Sequence, residues 1–310
     1  MSELTETRPL GAAVLGTQRP RRALSARASA AVLLLPALGL CTIFIFIPAV
    51  MAVVGSFYEF SFTSPVWRFV GLSNYAKAAS DPIFWLALRN NVIIVVGSIV
   101  LQVGFGTVIA AILDRGVPRG STVFRTIIFA PMVISSVAVA LIWLIILDPN
   151  IGVLNALVKG AGLVPPVLGW LGDPKLAIWM LLIIAAWQYT GFMMVLILAG
   201  LQGVPKDLYE AAALDGARGI KAFWYITLPA IRNILIVAVL ITTIGGIKVF
   251  DLIFATTMGG PANATQVMGT YIYLQAFTLN NMGYADAMSV VLLVLAVILG
   301  VLQLKASRRA

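Results

Sequence analysis

The chain has 310 residues, of which 61% are hydrophobic and 11% charged, with a mean hydropathy of +1.01 and a formal net charge of +9. This composition excludes an ordinary soluble domain and describes a polytopic membrane protein. The basic excess is spread over short loops, as membrane topology and anionic headgroups already require, so no nucleic-acid partner is expected.

Residues 1–29 read as a polar, Arg-rich cytoplasmic arm. The apolar run that follows is too long for a signal-peptide core and reads as an uncleaved first span. Because ~20 apolar residues cross the hydrocarbon as a helix, six spans are predicted. They run from Ala30 to Ser56, Asn91 to Leu113, Val123 to Leu147, Leu176 to Leu201, Asn233 to Thr256 and Ala287 to Leu304, and residues 305–310 form a tail. Residues 30–304 are then one transmembrane domain. Pro48 and Pro131 should kink the first and third spans.

Cytoplasmic loops retain Lys and Arg, so their positions orient the spans. With the N-terminus inside, fifteen basic residues are cytoplasmic: Arg8, Arg19, Arg21, Arg22, Arg27, Arg115, Arg119, Arg125, Lys206, Arg218, Lys221, Arg232, Lys305, Arg308 and Arg309. Five lie outside, namely Arg68, Lys77, Arg89, Lys159 and Lys175, and Lys248 is left within a span. Both termini are expected in the cytoplasm, together with the loop 203–230.

Cys41 lies alone in the first span, so no intramolecular disulfide or metal-binding pair is available. Histidine is absent, which removes the usual general base and metal ligand. No phosphate-binding loop with its Lys and hydroxyl is present. The chain is therefore expected to be no enzyme, to bind no metal or cofactor, and to depend on a gradient or a partner for energy.

The loop 203–230 is the polar island of the chain. Pro205 opens a helix with Asp207 in its first turn, Ala211 to Leu214 continue it, and Gly216 permits a turn. A second helix carries Ile220, Phe223, Trp224 and Leu228 as an apolar stripe and ends at Pro229. This is a helix-turn-helix at the membrane surface, and an interfacial anchor is one reading of it.

The series Glu210-Ala211-Ala212-Ala213-Leu214-Asp215-Gly216-Ala217, a spacer to Tyr225, and Ile226-Thr227-Leu228-Pro229 resembles the EAA motif of bacterial ABC importer permeases. Further likeness lies in Val70-Gly71-Leu72-Ser73-Asn74-Tyr75, Leu198-Ala199-Gly200-Leu201-Gln202, Phe250-Asp251, Gly259-Gly260-Pro261, Tyr271-Ile272-Tyr273, Ala276-Phe277 and Met282-Gly283-Tyr284-Ala285. These resemble the carbohydrate-uptake, maltose-permease-like branch from Val70 through the last span. The resemblance implies an all-α fold of type I importer architecture, with Glu210, Ala211, Ala212, Asp215, Gly216, Ile226, Leu228 and Pro229 coupling to an ATPase. Glu210 and Asp215 would supply charged contacts, Gly216 the turn, and Ala211 and Ala212 close approach. It also implies the partners: a second homologous permease, two ATPase subunits holding ATP and magnesium, and an extracytoplasmic sugar-binding protein. The loop 57–90 is too short for the large periplasmic domain of the maltose permease.

Substrate contacts must come from polar or aromatic residues facing a pore. By resemblance these are Gln188, Tyr189, Phe192, Thr242, Gly245, Gly246 and Val249, with Gln188 and Tyr189 bonding hydroxyls, Phe192 stacking and the glycines making room. Lys248 and Asp251, three residues apart, would share a helical face as pore or gate residues or as a structural ion pair. Segments 148–175 and 257–286 read as extracytoplasmic turns and short helices over the cavity. The function implied is a sugar-importing permease subunit in a bacterial inner membrane, working by alternating access. A gradient-driven transporter and a membrane scaffold or channel are the other classes; a clear internal repeat, expected in many secondary transporters, is not seen.

Overall fold

The computed structural model describes residues 26–64, 66–114 and 121–308. Arg8, Arg19, Arg21, Arg22, Arg115, Arg119 and Arg309 lie outside them, as do most of the predicted arm 1–29 and the end of the tail 305–310. The chain divides into units 1–50 and 51–310. In the first, a helix runs from Ala26 with a π-helical turn at Thr42–Phe46. That turn directly precedes Pro48, whose missing N–H breaks the regular ladder. Its large apolar side chains, from Leu34 to Ile47, are exposed, as lipid or a partner subunit would require.

The second unit is almost wholly helical. Two two-residue strands, Tyr58–Glu59 and Arg68–Phe69, pair antiparallel in the loop after the first span, and Phe60 stacks on Trp67 beside them at 4.1 Å. Four helices are long and apolar enough to cross a bilayer: Leu34–Gly55, Pro82–Asp114, Ala177–Leu201 and Met282–Ala306. The predicted second and sixth spans are thus extended toward their N-termini. Asp81 caps the second, accepting the Ile83 N–H at 2.8 Å, and Pro82 occupies its first turn.

The third span, expected to kink at Pro131, and the fifth, expected to be continuous, are both broken. Ser121–Val133 and Ser136–Ile146 meet at 100°. Pro131 weakens the last turn of the first limb, and Ser135 starts the second by accepting the Ala138 N–H at 3.3 Å. Along the predicted fifth span, Arg232–Ile247 stops before Lys248, and a separate helix begins at Asp251–Thr256. The limb Asp251–Thr256 packs against Ser136–Ile146, with Val139, Ala140, Leu252 and Ile253 buried together.

Ala177–Leu201 is the central helix, and small residues let its neighbours approach. A Cβ on Gly191 would collide with the Ile128 carbonyl, and one on Gly200 would stand 2.7 Å from Ile234 Cγ2. Between the second and fifth spans, a Cβ on Gly246 would stand 2.7 Å from Val95 Cγ2.

One polar clasp joins the ends of three elements. Tyr271 and Tyr284 donate to the same Asp81 carboxylate oxygen, and Gln275 Nε2 donates to the Tyr271 hydroxyl at 2.9 Å. Burial raises the Asp81 carboxyl, but these hydroxyls and the N–H groups of Ile83 and Phe84 hold it below its ordinary range overall. Burial and the Asp81 carboxylate push Tyr271 up to about 12, which keeps it a donor. Since the folded-state value is depressed, the clasp stabilises above the ordinary carboxylate range and loses that contribution as pH falls through it. Asp81→Asn should lower the melting temperature at pH 7 by several degrees, with the gap to the unmodified protein closing below about pH 4. Thermal unfolding at the two pH values checks this; a gap independent of pH contradicts it.

Candidate functional site

Two places carry the predicted functional residues. The first is the loop 203–230. Lys206–Leu214 is helical, with Pro205 at its N-cap. It ends in a Schellman turn: the Ala217 N–H donates to the Ala212 carbonyl at 2.8 Å and the Gly216 N–H to the Ala213 carbonyl at 3.3 Å. Gly216 has φ +77, the left-handed conformation this motif needs.

The second helix is less regular than its apolar spacing predicts. Ile220–Ala222 leads into a π-helical turn, Phe223–Thr227, then Leu228–Ala230. The π turn rotates the register, so the predicted stripe does not stay together. Ala222 and Thr227 are the buried positions, Phe223, Ile226 and Leu228 are half-buried, and Ile220 and Trp224 are 78% and 61% exposed. Tyr209 and Thr227 hydroxyls, 3.3 Å apart, tie the two helices together, with Ala212 buried between them. Glu210, Ala211, Asp215, Gly216 and Pro229 are exposed, beside Leu214 at 90% and Tyr225 at 74%. An exposed apolar patch rimmed by polar residues marks a protein or membrane interaction site.

The second place is a cavity of about 430 Å³ between the second, third, fourth and fifth spans. It lies within the usual size range of small-molecule sites. The fourth span contributes Tyr189 and Phe192, and the fifth Thr242, Gly245, Gly246 and Val249, so six of the seven predicted contact residues line one cavity. Lys248 and Asp251 line it too. Gly245 has open space where a Cβ would stand, whereas Gly246 is spent on the approach to Val95. The Tyr189 hydroxyl lies 3.1 Å from Ser136 Oγ, and Thr242 donates back to the Ala238 carbonyl at 2.9 Å.

Gln188 does not join them. It is 1% exposed, and its Nε2 donates at 3.1 Å to the carbonyl of Ile134. The break in the third span frees that carbonyl from its helical partner, and Gln188 satisfies it. The ion pair that was one alternative for Lys248 and Asp251 does not form: among the described residues neither side chain makes a salt bridge. The helix stops at Ile247, so the spacing of three does not place the two charges on one helical face.

The fifth-span break is held by Asn91. Its Nδ2 donates to the carbonyls of Gly246 and Ile247 at 3.0 and 3.3 Å, and its Oδ1 accepts the Met268 N–H at 2.8 Å. Sequence reasoning passed over Asn91, and over Ser98 and Gln102, which line the cavity from the same helix. The signal was present as polar residues at 91, 98 and 102, spacings of seven and four on one helical face. A π-helical turn at Ile99–Gly104 widens the helix where Ser98 and Gln102 meet the cavity.

Residues 102–310 match the model of the family described as binding-protein-dependent transport system inner membrane component. The chain belongs to that family. The permease is 40% identical over 273 residues to a probable ABC transporter permease, YurN, of Bacillus subtilis, covering 88% of this chain and 93% of that protein. It is 32% identical to the lactose transport system permease LacF of Rhizobium radiobacter, over 88% and 92%. With the trehalose/maltose transport system permease MalF of Thermococcus litoralis it shares 35% identity over 89% and 92%. Its fold matches a chain of a bacterial ABC transporter for alginate with a TM-score of 0.79, over 91% of this permease and 95% of that chain, at 24% identity. The type I importer permease fold and the role of a binding-protein-dependent permease subunit follow.

Proposed function

We propose that this permease imports a carbohydrate across a bacterial inner membrane, with both termini in the cytoplasm, paired with a second homologous permease. Two ATPase subunits, holding ATP and magnesium, would receive the hairpin of Glu210, Ala211, Ala212, Asp215, Gly216, Ile226, Leu228 and Pro229. An extracytoplasmic sugar-binding protein would deliver cargo; one of the structures matched in fold is an alginate transporter in complex with such a periplasmic protein. Relatives named for lactose, trehalose/maltose and diacetylchitobiose support the carbohydrate class.

The observation that carries the reading is the hairpin itself. Its carboxylates and apolar side chains are exposed beside a turn that Gly216 permits through its left-handed φ, and the Lys and Arg of the loop assign it to the cytoplasm by charge counting. ATP-driven closure of the partners would move this hairpin, and it leads directly into Arg232–Ile247, which walls the cavity. The cavity would alternate between the two sides as the helices rearrange.

Within the cavity, Tyr189, Phe192, Thr242, Gly245, Gly246 and Val249 form the cargo wall. Tyr189 presents a hydroxyl already paired with Ser136, and Phe192 an apolar ring suited to a sugar face. Gly245→Leu should fill the open wall and reduce sugar uptake at least tenfold while leaving ATPase association intact. Uptake into proteoliposomes containing the whole complex measures it; unchanged uptake would remove Gly245 from the pathway. Co-purification of the ATPase with this permease, lost on changing the hairpin and kept in Gly245→Leu, separates the importer from a secondary transporter or a scaffold.

A further inference from the structure

The cavity wall contains one cation and one anion that the protein leaves unused. Lys248 and Asp251 line it, both are exposed, and neither side chain has a hydrogen bond or ion pair among the described residues. The break in the fifth span explains both facts. Once the helix stops at Ile247, its last carbonyls would normally attract an ammonium group. Asn91 already occupies those of Gly246 and Ile247, so Lys248 has no such role. Phe250, with φ −144 and ψ −61, then turns the chain before Asp251 opens the next helix. The ammonium and carboxylate are thereby kept apart while facing the same space.

The other polar donors of the wall bond within the protein. Gln102 Nε2 donates to Ser98 and to the Ala185 carbonyl, Tyr189 pairs with Ser136, and Thr242 donates to Ala238. The strongest uncommitted donor and acceptor are therefore the two charges, and they cancel. An anionic cargo drawn to Lys248 would bring like charge to Asp251, and a cationic cargo the reverse. A sugar hydroxyl suffers neither penalty, since it can accept from an ammonium group and donate to a carboxylate.

Resting on the carbohydrate reading above, we propose that Lys248 and Asp251 are specificity-determining residues that restrict this cavity to uncharged sugars through their balanced, unpaired charges. Removing either charge leaves the other unbalanced, so the site then favours cargo of the removed charge's sign: anions without Asp251, cations without Lys248.

The test uses the permease complex in lipid nanodiscs without its binding protein, and disaccharides detected by saturation-transfer NMR. The neutral probes are cellobiose, maltose and lactose; the charged ones are cellobiouronate and deacetylated chitobiose. In the unmodified complex at least one neutral probe should bind about tenfold more tightly than either charged one. Asp251→Asn should shift the preference toward cellobiouronate, and Lys248→Gln toward chitobiose, each by about tenfold. Both variants should still co-purify with the ATPase, which shows that they fold and assemble. The proposal is overturned if no neutral probe binds, if a charged probe equals the best neutral one, or if the two variants leave the order unchanged. Failure of the ATPase to associate with the unmodified permease would instead sink the importer reading, with the binding order still measurable.

Discussion

Replacing Gly216 by proline should abolish recovery of the ATPase subunits with this permease and bring ATP-dependent uptake to background. Gly216 sits at φ +77, and its N–H closes the turn onto Ala213. Proline is locked near φ −65° and has no N–H to give. The helix end could not fold back, and Glu210 and Asp215 would lose their fixed relation to Ile220 and Trp224. Gly216→Ala keeps the N–H and asks only for a left-handed alanine, at a cost of about 1–2 kcal/mol, so it should retain measurable association. Membrane insertion of both variants, followed by quantitative pull-down of the ATPase, provides the comparison. Equal recovery from Gly216→Pro and the unmodified chain would mean that the turn does not position a docking face.

Asn91→Leu should be the most damaging single change near the cavity. Asn91 is 4% exposed and satisfies two carbonyls and one N–H at the fifth-span break. Leucine is of similar size but leaves all three unpaired, at about 1–3 kcal/mol for each buried group. Low local dielectric raises the stakes of such a network. A loss of many degrees in melting temperature is expected, together with loss of uptake, because Lys248 and Val249 follow directly on the carbonyls that Asn91 holds. Thermal unfolding of the detergent-solubilised complex measures the first effect; a melting point within a degree or two of the unmodified complex would show that the break maintains itself.

These two residues differ in how far the sequence disclosed them. Gly216 could be read directly, because a glycine after a run of alanines in a polar loop has few other uses. The six cavity residues from Tyr189 to Val249 were placed in spans four and five by resemblance, and the fold brings them to one wall. Asn91 could not be read in the same way. Its role depends on a break in a different span, and an apolar run has the same hydropathy whether its helix is straight or bent. Pro131 signalled a kink in the third span, but not the full 100° break at Ser135. Gln188 falls outside the cavity through it: a polar residue in a span signals that something needs a partner, and here that partner is the freed Ile134 carbonyl. Lys248 and Asp251 were drawn as a helical pair because a spacing of three implies one face only where the helix continues.

Ser98 and Gln102 illustrate a simpler omission. They share a face with Asn91 and carried the same intramembrane polar signal as the residues of spans four and five. The hairpin's second helix shows the opposite case, in which a clear periodicity was present but a π-helical turn moved the register, exposing Trp224 and burying Thr227.

The central claim is that the exposed hairpin at Glu210–Gly216 engages the ATPase on the cytoplasmic side. In a Cys41→Ser background, Glu210→Cys and Lys159→Cys would be introduced separately and labelled with a short cross-linker that is thiol-reactive at one end and photoreactive at the other, then illuminated in the assembled complex. Glu210→Cys should cross-link to the ATPase subunit in an ATP-dependent manner, and Lys159→Cys should not. A cross-link from Lys159→Cys but none from Glu210→Cys would contradict that claim.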